Sequence, residues 1–232
     1  MKCWLCFVGF AVATFCANAQ TEEIVVTGMR SGEYGEIPAI TIKKPADFLV
    51  QKIRLVNDSR SPELRKKEVV STIDAMIRSA SSNKRIALSY GDGFLEPVNL
   101  NDDSLQIIED KRRADTSAID IFVKTTLATS DNTKEQISEL RRFIADARLT
   151  GRTEIEVLGD IGLSIVDPER YRYDILGRIA EENARVIQAM GGKCRIKIGG
   201  LEGRVRWERT DVAELTLFIP YGVEVTDCVY EP

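Results

Sequence analysis

The sequence predicts an α+β protein in which three amphipathic helices pack on one face of a mainly antiparallel sheet. The first observation is a long helical pattern that begins at Asp167-Pro168-Glu169 and ends at Gly191-Gly192. The second is a series of alternating apolar and polar stretches before and after this helix, which is typical of strands. The third is the element order, which runs strand, helix, strand, strand, helix, strand, helix, strands.

The first nineteen residues match an export signal that is removed from the mature chain. Lys2 supplies the positive charge, residues 4–15 form an apolar stretch too short to span a membrane, and Ala17-Asn18-Ala19 is a cleavage site. A lipoprotein signal at Cys16 is the alternative, but Phe15 stands where a small residue normally precedes the lipidated cysteine. We expect a periplasmic protein, with outer-membrane association left open and no transmembrane segment after cleavage.

The net charge and the cysteine content indicate which partners and which redox compartment suit this chain. The net charge is −4, and it becomes −5 without residues 1–19, which hold one lysine and no acid. A mildly acidic chain with scattered charges does not favour nucleic-acid binding.

Cys194 and Cys228 are the two cysteines left in the mature chain, and they lack the CxxC spacing of a redox pair. A disulfide between them is the structural alternative, and spacing alone does not decide whether they pair.

Residues 20–44 are predicted to form an N-terminal strand and a linker before a domain over residues 45–232. This region opens with an acidic, β-branched segment that ends at a glycine: Glu22, Glu23, Ile24, Val25, Val26, Thr27 and Gly28. The segment resembles the TonB box of outer-membrane receptors, which implies docking on TonB by strand addition. The plug and the large barrel of those receptors have no counterpart in this chain. The alternative is an ordinary first strand over residues 24–27. Two glycines and two prolines over residues 31–45 indicate a linker or a loose hairpin.

The elements of the domain follow from local patterns. Residues 48–56 alternate as a half-buried strand, Ser61-Pro62-Glu63 begins a helix that ends near Asn83, and residues 86–90 alternate again. Residues 119–127 form the cleanest strand, with an apolar face and an opposite face that carries Asp120, Lys124 and Thr126. Thr133 and Gln136 make a capping box for the second helix. Residues 154–166 are two alternating runs kinked near Gly159, and a meander follows the third helix.

The order of elements and several local patterns resemble the SIMPL domain family of exported bacterial proteins. The likeness rests on the Ile24 to Gly28 strand, the Pro45-Ala46-Asp47 step into a second strand, and the alanine-rich helix from Ala180 to Arg185 that closes at Gly191. It spans about residues 24–198. The resemblance implies an envelope-associated protein without catalysis that acts through protein contacts, with self-association into homo-oligomers left open.

Catalytic and metal-binding patterns are absent from the sequence. The chain contains no histidine, which excludes histidine-dependent nucleophile systems and most zinc sites. The acids Asp102, Asp103, Glu109 and Asp110 lack the spacing of a calcium loop, and a solvated loop explains them. Two further features are open to a binding or a structural interpretation. They are Asn183 in the apolar half of the third helix, and the cluster Arg204, Arg206, Trp207 and Arg209. We expect no enzyme activity, no cofactor and no metal.

Overall fold

A computed structural model describes residues 23–26, 37–91, 94–100, 105–109, 113, 115–127, 132–191 and 194–229. The predicted signal, residues 1–19, lies outside this part of the chain, as do Glu22, Thr27 and Gly28 of the TonB-box-like segment. The acids Asp102, Asp103 and Asp110 also lie outside it.

The architecture is α+β with a mainly antiparallel sheet, which confirms the predicted fold class. The largest sheet has seven strands: β1 (Glu23–Val26), β3 (Phe48–Asn57), β4 (Ile86–Tyr90), β5 (Glu96–Pro97), β6 (Ile108–Glu109), β7 (Ser117–Thr126) and β8 (Thr153–Val166). Their order is β1-β8-β3-β7-β4-β5, and β6 pairs with β7 beside β4. Every ladder between described strands is antiparallel.

Five further strands complete the described part of the chain and correct two predictions. Strand β2 (Ile42–Pro45) lies within the predicted linker, and it pairs with β11 (Glu214–Phe218), which also pairs with β10 (Arg206–Arg209). Strands β9 (Arg195–Gly199) and β12 (Gly222–Thr226) form a separate two-stranded ribbon. The expected single sheet with a terminal meander is therefore wrong, because β9 pairs with β12 and not with its neighbour β10.

Three helices follow the predicted positions, although the starts of the second and third differ from the prediction. Helix α1 (Pro62–Ser82) begins as expected, with the Ser61 side chain accepting from the backbone N–H of Leu64 at 3.2 Å. Helix α2 (Thr133–Ala145) is capped by Asn132 and not by the predicted box at Thr133. A 3₁₀ turn (Pro168–Tyr171) precedes α3 (Arg172–Ala189), and Asp167 has a left-handed backbone without a capping hydrogen bond, so it is not the predicted N-cap.

All three helices contribute to one hydrophobic core. Their buried apolar side chains include Val69, Ile73 and Met76 of α1, Leu140 and Ile144 of α2, and Ile175 and Ile179 of α3. The same core contains Leu49, Ile53 and Leu55 of β3 and Leu215 and Leu217 of β11. The predicted apolar stripe of α3 is buried only in its first half, because Ala180 and Met190 are exposed.

Candidate functional site

Strand β1 is the described part of the TonB-box-like segment, and it lies at one end of the seven-stranded sheet. It pairs antiparallel with the end of β8, from Glu23 opposite Val166 to Val26 opposite Leu163. The backbone N–H of Leu95 donates to the carbonyl oxygen of Glu23 at 3.1 Å. The segment is thus a sheet strand here, and no described strand pairs with its outer side.

The Glu23 side chain joins a buried ion pair that sequence analysis missed. Its carboxylate contacts the ammonium group of Lys124 and accepts a hydrogen bond from the Ser164 hydroxyl at 2.7 Å. Glu23 is 6% exposed and Lys124 is 8% exposed, so the polar face of β7 is buried at Lys124. The Lys124 ammonium also lies 4.3 Å from the centre of the Phe48 ring.

This ion pair requires the sheet to curl. Strands β8 and β3 lie between β1 and β7, and in a flat sheet three strand spacings would separate the Glu23 and Lys124 backbones by about 14 Å. The side chains meet on the face opposite the helices, where Val50, Leu95 and Phe122 form a second small apolar cluster packed by Phe48. The sequence of β7 contained one sign that this face is buried, since an aromatic residue, Phe122, lies on the same face as Lys124.

The other half of β8 has a different environment. Residues 153–158 pair with β3, from Thr153 opposite Asn57 to Leu158 opposite Lys52, and no other described strand pairs with them. We call residues 153–158 the open edge. Strand β8 contains Glu154, Glu156 and Asp160 and no basic residue. Among the described residues, this side of β8 is therefore a strand edge beside three acidic side chains, of which Glu156 is ion-paired with Arg113.

A groove of about 510 Å³ lies along the open edge, between β8 and the end of α2. Its apolar wall is formed by Ile144, Leu149, Ile155, Val157 and Ile161. Val157 is 57% exposed and Leu149 is 47% exposed, so this wall reaches the surface. Arg141 and Asp160 also line the groove. Such a concave apolar strip beside a strand edge suits an added strand whose side chains alternate in polarity.

Two side chains fix the kink at the end of the open edge. The Gln51 amide donates to the carbonyl oxygens of Leu158 (3.0 Å) and Gly159 (3.3 Å), where the β3–β8 ladder changes register. Gly159 has φ +63°, and a residue in that conformation turns the strand. Arg209 donates to the carbonyl oxygen of Ile161 at 2.7 Å. The predicted kink near Gly159 is confirmed, and these bonds hold it in place.

The start of the open edge is held by a carboxylate on α1. Glu68 accepts hydrogen bonds from the Ser59 hydroxyl (2.6 Å), the Asn57 amide (2.8 Å) and the backbone N–H of Arg152 (3.0 Å). These bonds lower the pKa of Glu68, with the one from Ser59 having the largest effect. The beginning of β8 is therefore tied to both β3 and α1.

The remaining candidate residues have mainly structural contacts. Arg209 donates to the carbonyl oxygens of Asp211 and Val212 as well as Ile161, so it clamps a turn. Trp207 packs against the core. The Asn183 amide donates to the carbonyl oxygen of Ile179 in its own helix at 2.7 Å, not to a neighbouring strand. These contacts favour the structural interpretation of Arg209 and Trp207 over the alternative of an anion-binding patch.

Cys194 and Cys228 form a disulfide that joins the start of β9 to the end of β12. A two-stranded ribbon is marginal alone, so this cross-link holds the C-terminal segment in place. Among the described residues, no group of three or more Cys, Asp or Glu side chains is arranged to hold a metal ion. No described helix combines the length and apolarity needed to cross a membrane.

The fold and the groove define the chain as an α+β protein with an accessible strand edge. Comparison with protein-family models, curated proteins and solved structures finds no match. Both resemblances noted from the sequence, to the SIMPL family and to the TonB box, therefore stay predictions.

Proposed function

We propose that this chain is an exported envelope protein without catalytic activity that binds partner polypeptides by strand addition at the open edge. The observation that carries the proposal is the open edge itself, where residues 153–158 have a ladder partner on one side only and border an apolar groove. Backbone hydrogen bonds supply affinity in this mode, and pockets for alternate side chains supply selectivity.

Two observations support export to an oxidising compartment. The leader-like residues 1–19 direct the chain to the periplasm, and the disulfide between Cys194 and Cys228 persists where thiols are oxidised. Cell fractionation with thiol alkylation tests this part. We expect a periplasmic species that begins at Gln20 and has no free thiol, whereas a cytoplasmic species with two alkylated cysteines would contradict it.

In-cell photo-cross-linking tests the binding proposal. A photoreactive amino acid at Val157 should give a discrete protein adduct in the envelope fraction. The matched control is Val223, an exposed valine on β12 that is 43% exposed and lies outside the groove. The proposal fails if position 157 gives no adduct, or if both positions give the same ones.

A second candidate function is coupling to TonB through residues 22–28. The observation that favours it is the position of β1 at the end of the strand order, where no described strand covers its outer side. Titration of a peptide of residues 20–30 against a TonB C-terminal domain tests this function. Absence of chemical-shift changes at millimolar peptide would remove it.

A further inference from the structure

We propose that the groove between β8 and α2 binds a short aliphatic peptide with free ends, whose ammonium and carboxylate groups contact opposite charges on the two sides of the groove. This inference goes beyond strand addition, because it rests on side chains that line the groove and not on the backbone of the open edge. The groove volume of about 510 Å³ lies within the range of small-molecule sites. The residues that line it all belong to the described part of the chain.

Two side chains of opposite charge line the groove without a partner of their own. Arg141 lies on α2, and Asp160 lies on β8 directly after the kink at Gly159. Both are exposed, and neither makes an ion pair or a side-chain hydrogen bond within the described part of the chain. A ligand with a single charge would be attracted by one of these groups and repelled by the other. A zwitterion is attracted by both.

A buried amide supplies a third polar contact. Gln51 lines the groove and is 4% exposed. Its side-chain nitrogen donates to the carbonyl oxygens of Lys52, Leu158 and Gly159, whereas its Oε1 atom accepts no hydrogen bond from a described residue. This oxygen is not among the enclosed atoms that lack a partner, so a ligand can reach it. Because the nitrogen is held by backbone carbonyls, the acceptor has a fixed position.

The positions of these three groups orient the ligand. Gln51 and Asp160 belong to β3 and β8, so the sheet side of the groove offers hydrogen-bond acceptors and a negative charge. The helix side offers the guanidinium group of Arg141. We therefore assign the ammonium group of the peptide to the sheet side and its carboxylate to the helix side, where arginine can bind it through two N–H groups.

The apolar wall selects the side chains of the ligand. Leu149 and Val157 are 47% and 57% exposed, and Ile144, Ile155 and Ile161 line the same groove. Aliphatic side chains that cover this wall remove apolar surface from water on both partners. A polar side chain in the same place would lose hydrogen bonds to water without finding a partner. The wall therefore favours leucine, isoleucine or valine in the peptide.

An NMR titration of the mature protein with leucyl-leucine tests the inference. We expect a Kd of about 0.1–1 mM, in line with the affinity per atom of small ligands, and shifts centred on the backbone signals of Leu149, Ile155, Val157 and Ile161. Three matched dipeptides each remove one feature of the ligand. N-acetyl-leucyl-leucine lacks the ammonium group, leucyl-leucine amide lacks the carboxylate, and seryl-serine lacks the apolar side chains. Each should bind at least about fivefold more weakly than leucyl-leucine.

Two variants assign the charged contacts. Asp160→Asn should weaken leucyl-leucine about fivefold without weakening the N-acetyl peptide, and Arg141→Gln should weaken it similarly without weakening the amide. The matched controls are Glu154→Gln on β8 and Arg142→Gln on α2, two exposed residues that do not line the groove. Both controls should leave the affinity within about twofold. All four changes are at exposed positions, so loss of binding should occur without loss of fold.

Three results would overturn the inference. They are equal affinity for leucyl-leucine, its N-acetyl form and its amide, shifts centred outside the groove, and no shifts at about 10 mM peptide, well above the expected Kd. Each of these results would leave the proposed function standing, since strand addition at the open edge does not require a small ligand. The proposed function fails separately, through the absence of photo-adducts at position 157.

Discussion

The buried pair between Glu23 and Lys124 makes a sharp prediction about how the N-terminal strand is held. In Glu23→Gln the Lys124 ammonium, 8% exposed, loses its carboxylate while remaining enclosed by Phe48 and the curled sheet. Removing one partner from a buried ion pair costs about 3–5 kcal/mol if the surroundings stay closed. Strand β1 has only four residues at the end of the sheet, so it can detach and let water reach Lys124.

The loss of unfolding free energy in Glu23→Gln therefore cannot exceed the free energy that holds β1 on the sheet. We expect Glu23→Gln to lower the free energy of unfolding by about 1–3 kcal/mol. Hydrogen exchange should show the reason, with amides of β1 and of residues 163–166 losing protection while β3 and β7 keep theirs. The double variant Glu23→Gln with Lys124→Met should recover most of the loss, because it leaves no buried charge unpaired.

Urea denaturation provides the measurement. Trp207 is the single tryptophan outside residues 1–19 and is half-buried against the core, so its fluorescence reports global unfolding. The control is Glu224→Gln on β12, an exposed glutamate whose change should stay within about 0.5 kcal/mol. A Glu23→Gln variant as stable as this control, with unchanged exchange at β1, would refute the anchoring role of the pair.

Three further predictions concern the rest of the fold. Gly151→Ala should lower the free energy of unfolding in urea by about 1 kcal/mol or more beyond the loss in Gly159→Ala. Both glycines have positive φ, but only at Gly151 would an added Cβ meet the Glu68 carboxyl group, 2.0 Å away. Equal losses would contradict this prediction. Replacing Cys194 and Cys228 by serine should lower the free energy of unfolding by up to about 4 kcal/mol, because the disulfide closes a loop with a sequence separation of 34 and so reduces the entropy of the unfolded chain. Unchanged hydrogen-exchange protection of β9 and β12 would contradict this prediction. Burial raises the pKa of Asp120, but hydrogen bonds from Arg54 and Lys52 outweigh burial, so the pKa of Asp120 is lowered in the folded protein. The ionised Asp120 carboxylate therefore stabilises the fold fully above about pH 4, and this stabilisation is lost as the pH falls. Asp120→Asn should flatten this acid dependence of the melting temperature, and an unchanged slope would contradict the assignment.

Local signals in the sequence identified the elements that depend on nearby residues. The Ser61-Pro62 start of α1, the alternation of β3 and the kink at Gly159 each follow from neighbours within a few positions, and the structure has all three. Strands β2 and β12 were missed because each is short and exists through a distant partner. Ile42 pairs with Leu217, far along the chain, and its own surroundings are rich in glycine and proline.

The candidate sites depend on the order of the strands, which local patterns do not contain. Lys124 is buried because Glu23, 101 positions earlier, reaches it across two intervening strands. Among the strands that the structure describes, β1 is the one on the outer side of β8, and it covers only the last residues of β8. A strand pattern over residues 154–166 carries no information about which half of the strand has a neighbour, so the groove beside it was not predictable.

The two halves of the outer side of β8 place different energetic demands on a partner. A polypeptide that displaced β1 would have to break its ladder and expose Glu23 and Lys124, which opposes binding by the docking free energy of that strand. A polypeptide that adds at residues 153–158 breaks no ladder pairing of a described strand, and it covers Val157 and Leu149, which are already exposed. The entropy that the incoming segment loses when it becomes ordered is then the main cost that opposes binding. Strand addition at the open edge is therefore favoured over exchange at β1, and TonB coupling would require docking on the outer side of β1 without releasing it.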